Sequence, residues 1–282
     1  TTLSGMLIWP IRQLGQLLAF MGQAFVALAR LQEILDEPVE LDEEDEYEPN
    51  IKGYIEFNNV YFEYERGKPV LDDVSFRIKK GQTVAILGAT GSGKSSLVHL
   101  LLRLYDYQRG TIKIDGVEIK KIRRKWLRRN VGIVLQEPFL FSKTIKENIA
   151  IGKPGSSESE ILSAASMACI HNSIKSFEKG YDTLVGERGV TLSGGQRQRL
   201  AIARTIIRDV TILIFDDSLS AVDMETDAAI RKALKERRKN VTTIIISHRI
   251  TTLAEADTIF VLDRGKIAQS GTHEELIKQD GL

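Results

Sequence analysis

Residues 84–95 read VAILGATGSGKS, and this stretch decides the fold. Gly88, Gly93, Lys94 and Ser95 have the spacing G-x-x-x-x-G-K-S, after the apolar run TVAIL and before the helical pattern KSSLVHLLLRL. Glycines at these places let backbone N–H groups point at a phosphate, and the start of a helix adds positive potential. The stretch therefore predicts a P-loop, a phosphate-binding loop between a buried strand and a helix.

The P-loop predicts ATP and Mg²⁺ as ligands. We expect Lys94 to reach the β and γ phosphates and Ser95 to bind Mg²⁺. Asp216 ends the apolar run ILIF, where a carboxylate at the edge of a parallel sheet would stand beside the P-loop and hold the same ion. A buried aspartate without a function is the alternative. The loop residues expected to bind ATP are Gly88, Ala89, Thr90, Gly91, Ser92, Gly93, Lys94, Ser95 and Ser96.

Composition excludes several other classes of protein. Lys and Arg total 39 against 38 Asp and Glu, so the net charge of +1 gives no general reason to expect nucleic acid as a partner. One cysteine, Cys169, excludes an internal disulfide and a cysteine-based zinc site. The basic run KKIRRKWLRR at 120–129 leaves a nucleic-acid patch as an alternative, but in a neutral chain it favours a solvated helix face.

Two kinds of strand pattern predict an α/β fold. The segments YIEFNNVYFEY, VSFRIKK and TIKIDGVEI alternate, which is typical of a small antiparallel sheet with one buried face. The continuous apolar runs VAIL, ILIF and TIII (243–246) are typical of parallel strands covered on both faces. Helical stretches separate these runs, so we predict a parallel core sheet surrounded by helices.

The N-terminal region predicts a helix and a linker. Apolar residues spaced by three or four over 11–35 indicate an amphipathic helix, with Pro10 at its start or at a kink. The apolar stretch 17–29 is shorter than the roughly 20 residues that span a bilayer, so we expect no membrane crossing and a soluble piece of a longer chain, since the first residue is not Met. The acidic stretch LDEEDEYEPN at 41–50 indicates a solvated linker.

Five further motifs make the chain resemble the ATP-binding cassette (ABC) proteins over residues 53–275. They are Tyr64, Gln136 in VLQEP, LSGGQ at 192–196, the pair Asp216-Asp217 before SAVD, and His248 in SHR. The resemblance implies a P-loop NTPase fold with a parallel core sheet, an antiparallel β subdomain and a helical subdomain at about 137–208. It divides the chain into residues 1–37, a linker at 38–52 and a nucleotide-binding domain at 53–282.

The resemblance also implies roles for these residues. Tyr64 would stack on adenine, Gln136 would approach Mg²⁺ and the attacking water, and His248 would donate to the γ-phosphate. Ser193, Gly194, Gly195, Gln196 and Asp223 would face the ATP bound to a second cassette in a head-to-tail dimer. Ser193 is a suitable N-cap for the following helix, whose N–H groups would then be open to an anion. From local sequence alone, SGG is a turn, Gln136 a surface residue and His248 a core histidine.

The segments FLFSKTIKENIAIG (139–152) and TLVGERG (183–189) resemble ABC exporters whose membrane and ATPase domains share one polypeptide. This implies transmembrane domains that contact the Gln136 loop and the Glu187 region, at the cytoplasmic face of the cell membrane. Residues 1–37 would then continue the last membrane helix into the cytoplasm. A helix belonging to the domain's own core is the alternative, because amphipathicity does not identify a partner.

Asp217 departs from the family pattern, in which a glutamate acts as general base after the Mg²⁺-binding Asp216. One methylene retracts the carboxylate by about 1.5 Å, and misplacements near 1 Å cost roughly 100-fold in rate. We therefore predict slow hydrolysis at this chain's own site and a heterodimer whose partner carries the glutamate. An ATP-gated regulatory clamp that binds without hydrolysis is the main alternative. A soluble DNA-maintenance cassette is a third, disfavoured because no long coiled-coil insertion precedes LSGGQ.

Overall fold

A computed structural model describes residues 2–37, 40, 47–186, 191–237 and 240–279. Within these ranges the strands, labelled β1 to β10 in chain order, are Ile55–Glu63, Pro69–Ile78, Thr83–Leu87, Arg109–Ile114, Val117–Glu118, Val131–Val134, Ile212–Asp216, Thr242–Ile246, Thr258–Asp263 and Lys266–Gly271. The helices, α1 to α10, are Thr2–Asp36, Lys94–Leu101, Arg124–Asn130, Ile145–Ala150, Glu158–Met167, His171–Lys175, Gly194–Ile206, Met224–Arg237, Ile250–Ala254 and His273–Leu276.

The described strands form a central sheet in the order β10-β9-β3-β8-β7-β6. Strands β9, β3, β8, β7 and β6 are parallel, and only β10 pairs antiparallel at the edge. Every residue of β7 is buried, as expected for a strand covered on both faces. Because the strands are parallel, their carboxyl ends meet at one edge, which is where loops of an open α/β sheet bind ligands. The predicted α/β fold with a parallel core is confirmed.

A second sheet has the order β2-β1-β4-β5, with antiparallel pairing throughout. Its inward residues, such as Ile55, Phe57 and Ile78, are almost fully buried and alternate with more exposed ones, which is the pattern of a sheet with one covered face. The alternating segments of the sequence predicted this small antiparallel sheet correctly. Asn59 and Asp73 have positive φ where the β1–β2 register shifts.

Helix α1 forms a unit of its own and is longer than the sequence pattern predicts. It spans 35 residues and contains Pro10, so its length is about 52 Å. Within the described chain, the part Ile8–Asp36 is long and apolar enough to cross a membrane, by length and composition only. The expectation of a stretch too short to span a bilayer is therefore wrong. Gly22 and Gln23 carry no charge and continue the helix, so they do not divide the apolar segment.

The end of the acidic stretch is held by the folded unit. Tyr47 N–H donates to the Lys121 carbonyl at 3.0 Å, and Arg123 N–H donates to the Tyr47 carbonyl at 3.2 Å. Trp126 Nε1 donates to the Pro49 carbonyl at 2.9 Å. The interpretation of 41–50 as solvated linker therefore does not hold from Tyr47 onward, because backbone groups find partners there; residues 41–46 lie outside the described chain.

The basic run 120–129 has some side chains in contact with the fold and others exposed. Arg128 donates from Nη2 to the Arg103 carbonyl at 2.6 Å, and Lys120 Nζ lies 4.0 Å from the centre of the Tyr107 ring. Arg123 pairs with Glu48 at 3.5 Å on the surface. Lys121, Lys125 and Arg129 are exposed as well. The exposed members fit the predicted solvated helix face.

Capping boxes begin four helices of the described chain. A Ser or Thr side chain accepts from the N–H three residues on, and the side chain of that residue accepts from the cap N–H. The pairs are Thr144 with Glu147, Ser157 with Glu160, Ser193 with Gln196, and Thr272 with Glu275. The predicted N-cap role of Ser193 is thereby confirmed.

Candidate nucleotide-binding site

Five of the predicted site residues follow or end strands at the carboxyl edge of the central sheet. Gly88 follows β3, Asp216 is the last residue of β7, and Asp217 comes next. Gln136 lies two residues beyond β6 and His248 two beyond β8. Parallel pairing of β6 with β7, β7 with β8 and β8 with β3 brings these ends side by side. Residues far apart in sequence therefore meet at one place.

The P-loop requires glycine at two positions because of close backbone approach. A Cβ on Gly88 would lie 2.2 Å from the Leu262 carbonyl oxygen, and one on Gly93 would lie 2.9 Å from the Val70 carbonyl oxygen at φ +104°. Ala89, Thr90 and Gly91, at the top of the loop, are exposed. The loop is thus pressed against the sheet on one side and open on the other, as a phosphate cradle requires.

Lys94 folds back over the loop. Its Nζ donates to the carbonyls of Gly88 and Ala89 at 2.8 Å each, and the residue is only 8% exposed. Burial lowers the pKa of the Lys94 ammonium, and the nearby carboxylates of Asp217 and Asp216 act in the opposite direction. Within the described residues, this buried ammonium thus donates to neutral carbonyls, with the Asp216 and Asp217 carboxylates nearby.

Ser95 and Asp216 form the second part of the site. The Ser95 hydroxyl donates to Asp216 Oδ1 at 3.1 Å. Burial raises the pKa of the Asp216 carboxyl, which the Ser95 hydrogen bond lowers in part. A hydroxyl and a carboxylate oxygen are ligands that Mg²⁺ accepts when phosphates supply others. Among the described residues no cluster of three or more His, Cys, Asp or Glu could hold a metal ion, so the cation would need those phosphate oxygens.

Two further P-loop features fit a nucleotide. Ser92 Oγ is buried and has no hydrogen-bond partner among the described residues. The Tyr64 hydroxyl and Ser96 Oγ are 3.0 Å apart, so the Tyr64 ring stands close to the start of α2. The ring also packs edge-on against Phe62 and Tyr105, yet remains 49% exposed. It is held firmly while keeping surface for an adenine base. The residues present therefore fit ATP and Mg²⁺.

Asp217 is held by its backbone. Its N–H donates to the Ile246 carbonyl at 3.0 Å, and its carbonyl accepts from Ser220 Oγ at 2.7 Å. Its φ is +45°, in the left-handed region, which aspartate tolerates better than most residues. Asp217 is close enough to Lys94 to influence its pKa. The carboxylate thus belongs to the site, on a backbone conformation that favours a short side chain.

Gln136 and His248 both have exposed side chains. Gln136 follows Leu135, whose carbonyl accepts from the buried Gln198 side chain of α7 at 3.0 Å. His248 stands between Ser247 and Arg249, which are tied to each other by a hydrogen bond of 3.1 Å from Arg249 N to Ser247 Oγ. Both side chains face solvent at the sheet edge, where a nucleotide could reach them.

Ser193 to Gln196, called the signature residues below, lie at the start of α7. Ser193 Oγ accepts from Gln196 N at 3.2 Å, and Gln196 Oε1 accepts from Ser193 N at 2.9 Å. Space around Gly194 is open, whereas a Cβ on Gly195 would lie 3.1 Å from the Ala221 carbonyl oxygen. Asp223 begins α8 by accepting from Thr226 N at 2.9 Å, a bond that lowers the pKa of Asp223. Ser193 to Gln196 form an open helix N-terminus.

The two segments that resemble exporters lie side by side. Ile145 N donates to the Thr183 carbonyl and Val185 N donates to the Lys143 carbonyl, each at 3.0 Å. Phe139 and Phe141, whose rings meet at right angles 5.1 Å apart, are exposed at 69% and 42%. Glu187, expected near the transmembrane domains, lies outside the described residues.

Arg249 and Asp227 were not predicted from the sequence. Arg249 reaches the Ser220 carbonyl with Nη2 at 2.6 Å, and Asp227 is buried beside it. A signal existed in the position of Asp227 one helical turn after Asp223, on the face that also carries the apolar Ile230. The partner of such a carboxylate, 22 residues further on, could not be read from spacing.

Comparison with known proteins places the sequence and the fold in the same group. The profile of the family described as ABC transporter matches residues 71–220. The chain is 43% identical over 280 residues to the beta-(1-->2)glucan export ATP-binding/permease protein NdvA of Bartonella bacilliformis, covering 96% of the chain and 46% of that protein. It is 44% identical over 278 residues to the uncharacterized ABC transporter ATP-binding protein YknU of Bacillus subtilis, covering 98% and 48%.

The fold gives the same result. The structure of a bacterial Atm1-family ABC exporter with ATP bound matches with a TM-score of 0.87 and 40% identity, over 92% of this chain and 46% of that one. The chain thus spans about half the length of the relatives it matches.

Proposed function

This chain belongs to the ABC transporter family, and we propose that it is the ATP-binding domain of an exporter that couples ATP binding and hydrolysis to transport. The observation that supports this most is the convergence of Lys94, Ser95, Asp216 and Asp217 at the carboxyl edge of the sheet. Such a convergence of a buried ammonium with two carboxylates suits a nucleoside triphosphate and its cation.

We assign the work of the site to its residues as follows. Lys94 and the loop N–H groups bind the phosphates, Ser95 and Asp216 hold the cation, and Tyr64 offers its ring to the base. Mg²⁺, when bound, neutralises phosphate charge. Gln136 and His248 orient the attacking water and the γ-phosphate, while Asp217 is the available proton acceptor. Because the Asp217 side chain is short, we propose that this site binds ATP but hydrolyses it slowly.

We further propose that Ser193 to Gln196 serve the ATP of a second cassette. The Ser193 oxygen accepts from Gln196 N, which leaves its O–H available to donate to an anion, and the helix N-terminus adds positive potential. With Asp217 in its own site, the fitting partner is a different subunit or domain that carries glutamate at that position. The site that hydrolyses ATP rapidly would then combine the partner's glutamate with this chain's Ser193.

The same proposal gives a place for the rest of the chain. Exposed Phe139 and Phe141, beside the Gln136 loop, suit a contact with transmembrane domains at the cytoplasmic face of the membrane. Helix α1 carries exposed apolar side chains such as Phe20 and Phe25, which suit the continuation of a membrane helix. We propose residues 1–37 as that extension, the helical subdomain at about 137–208, and 53–282 as the nucleotide-binding domain.

Two matched serine variants test the signature assignment. Ser193→Ala and Ser157→Ala each remove the cap of one capping box, with similar bonds of 3.2 and 3.3 Å to the N–H three residues on. Each should lower the free energy of unfolding by about 1 kcal/mol. Only Ser193→Ala should slow ATP turnover of the assembled transporter, by roughly tenfold or more, because it also removes a donor to the partner's phosphate.

Chemical denaturation and steady-state ATPase assays give the two readouts. Equal turnover in both variants would show that Ser193 only caps α7. The proposed contact of Ser193 with the ATP of a second cassette would then be withdrawn. Loss of turnover in Ser157→Ala would point to helix stability instead.

A further inference from the structure

Arg249 ties the loop of His248 to the turn between β7 and α8, residues 217–223. It follows His248 directly, and its Nη2 donates to the Ser220 carbonyl at 2.6 Å. Its own N–H donates to Ser247 Oγ at 3.1 Å, so the residue is held at both ends. The side chain is 26% exposed, which means that most of it lies inside the fold.

The carboxylate of Asp227 lies near the same guanidinium. Its side chain is 1% exposed; Oδ1 accepts from Arg231 Nε at 3.0 Å and Oδ2 accepts from Thr252 Oγ1 at 3.3 Å. Oδ2 also lies 3.9 Å from Arg249 Nη1. Arg231 in turn contacts Glu255. The buried carboxylate is therefore shared by two arginines from different elements.

The contact between Arg249 and Asp227 is incomplete. Arg249 Nη1 is buried and makes no hydrogen bond to any part of the chain that the structure describes. A separation of 3.9 Å is an ion-pair distance, about 1 Å longer than a hydrogen bond between charged groups. The two groups therefore attract by charge without a hydrogen bond between them.

The β7–α8 turn joins groups that belong to two nucleotide sites. Asp217 begins it, and the Asp217 carbonyl accepts from Ser220 N and Oγ at 3.3 and 2.7 Å. The Ala221 carbonyl packs against Gly195 at the start of α7. Ser220 thus contacts Asp217 of this chain's site, and its neighbour Ala221 lies beside the start of α7.

We propose that Arg249 is a positioning residue that couples His248 in this chain's ATP site to the β7–α8 turn and the partner's site, with Asp227 as its buried counter-charge. The inference rests on the proposed function, because it takes His248 to meet a γ-phosphate. Movement of His248 toward that phosphate carries Arg249, and through Ser220 it carries the turn.

Arg249→Lys in the full-length transporter tests the coupling. Lysine keeps the charge, but its single ammonium cannot replace a planar fork that serves Ser220 and Asp227 together. We expect kcat for ATP hydrolysis to fall about five- to tenfold. The KM for ATP, and the affinity of this site for a fluorescent ATP analogue, should stay within about twofold because no phosphate contact is lost. A purely structural role would instead lower the thermal midpoint and affinity together.

Two further variants complete the experiment. Asp227→Asn should reproduce the loss of kcat, whereas Glu255→Gln, which removes the outer ion pair of Arg231, should keep the parent kcat. A parent-like kcat for Arg249→Lys, or an equal loss in Glu255→Gln, would overturn the inference. The affinity of a Lys94→Ala variant for ATP tests the proposed function separately. A loss of affinity supports the proposed function whatever the result for Arg249, whereas parent-like affinity would contradict it.

Discussion

Lys94→Ala is expected to lower the affinity of this chain for ATP by about 100-fold. Lys94 Nζ is a buried ammonium whose present acceptors are the Gly88 and Ala89 carbonyls, and a phosphate would be a stronger, charged acceptor at the same loop. The variant loses that charge-assisted bond, and alanine cannot replace it.

Titration with a fluorescent ATP analogue measures this loss, and ATP-dependent thermal stabilisation provides a second readout. Lys125→Ala is the matched control, because Lys125 is exposed on α3, outside the P-loop. Its affinity should equal that of the parent. An affinity of Lys94→Ala within about threefold of the parent would reject the phosphate-binding role of the loop.

Asp217→Glu is expected to raise ATP hydrolysis at this chain's own site by about tenfold or more. The added methylene moves the carboxylate forward again. A misplacement of that size can lower the rate roughly 100-fold. Part of this gain is offset, because Asp217 has φ +45° and glutamate accepts the left-handed region less readily than aspartate. Single-turnover assays on the full-length assembly, with the partner's base removed, isolate this site.

Asp217→Asn is the control for that experiment. Asparagine keeps the size and the tolerance of positive φ but cannot accept a proton, so its rate should not exceed that of the parent. Equal rates for the parent and Asp217→Glu would mean that the shorter side chain costs nothing, and the proposal of slow hydrolysis at this chain's own site would be wrong. A rate in the parent above that of Asp217→Asn would exclude a clamp that is unable to hydrolyse.

The central sheet and its P-loop could be predicted because their information is local. Gly88, Gly93, Lys94 and Ser95 lie within eight residues. The runs that form β3, β7 and β8 are apolar enough to indicate buried parallel strands. Position along the sheet then followed, since parallel strands bring Asp216 to the edge where Gly88 lies. The alternating strands of the smaller sheet were predictable for the same reason.

Other contacts could not be predicted because they join distant residues through tertiary packing. Trp126 donates to Pro49 across 77 positions, and Arg249 reaches Ser220 across 29. Neither pair has a periodic pattern, and a charged residue gives no indication of which carbonyl it will meet. Helix α1 exceeds the predicted range 11–35 because it continues on the N-terminal side of Pro10. Its apolar segment exceeds 17–29 because the uncharged Gly22 and Gln23 do not interrupt it.

The four capping boxes differ in the charge of the side chain that closes them. Those of α4, α5 and α10 are closed by Glu147, Glu160 and Glu275, whereas the box of α7 is closed by the neutral amide of Gln196. A carboxylate there would favour the isolated helix, because it complements the positive end of the macrodipole. It would also occupy that positive end and repel a phosphate. At α7 the positive end of the helix dipole is thus not neutralised by a carboxylate of this chain. A binding site for an anion from another molecule would require this.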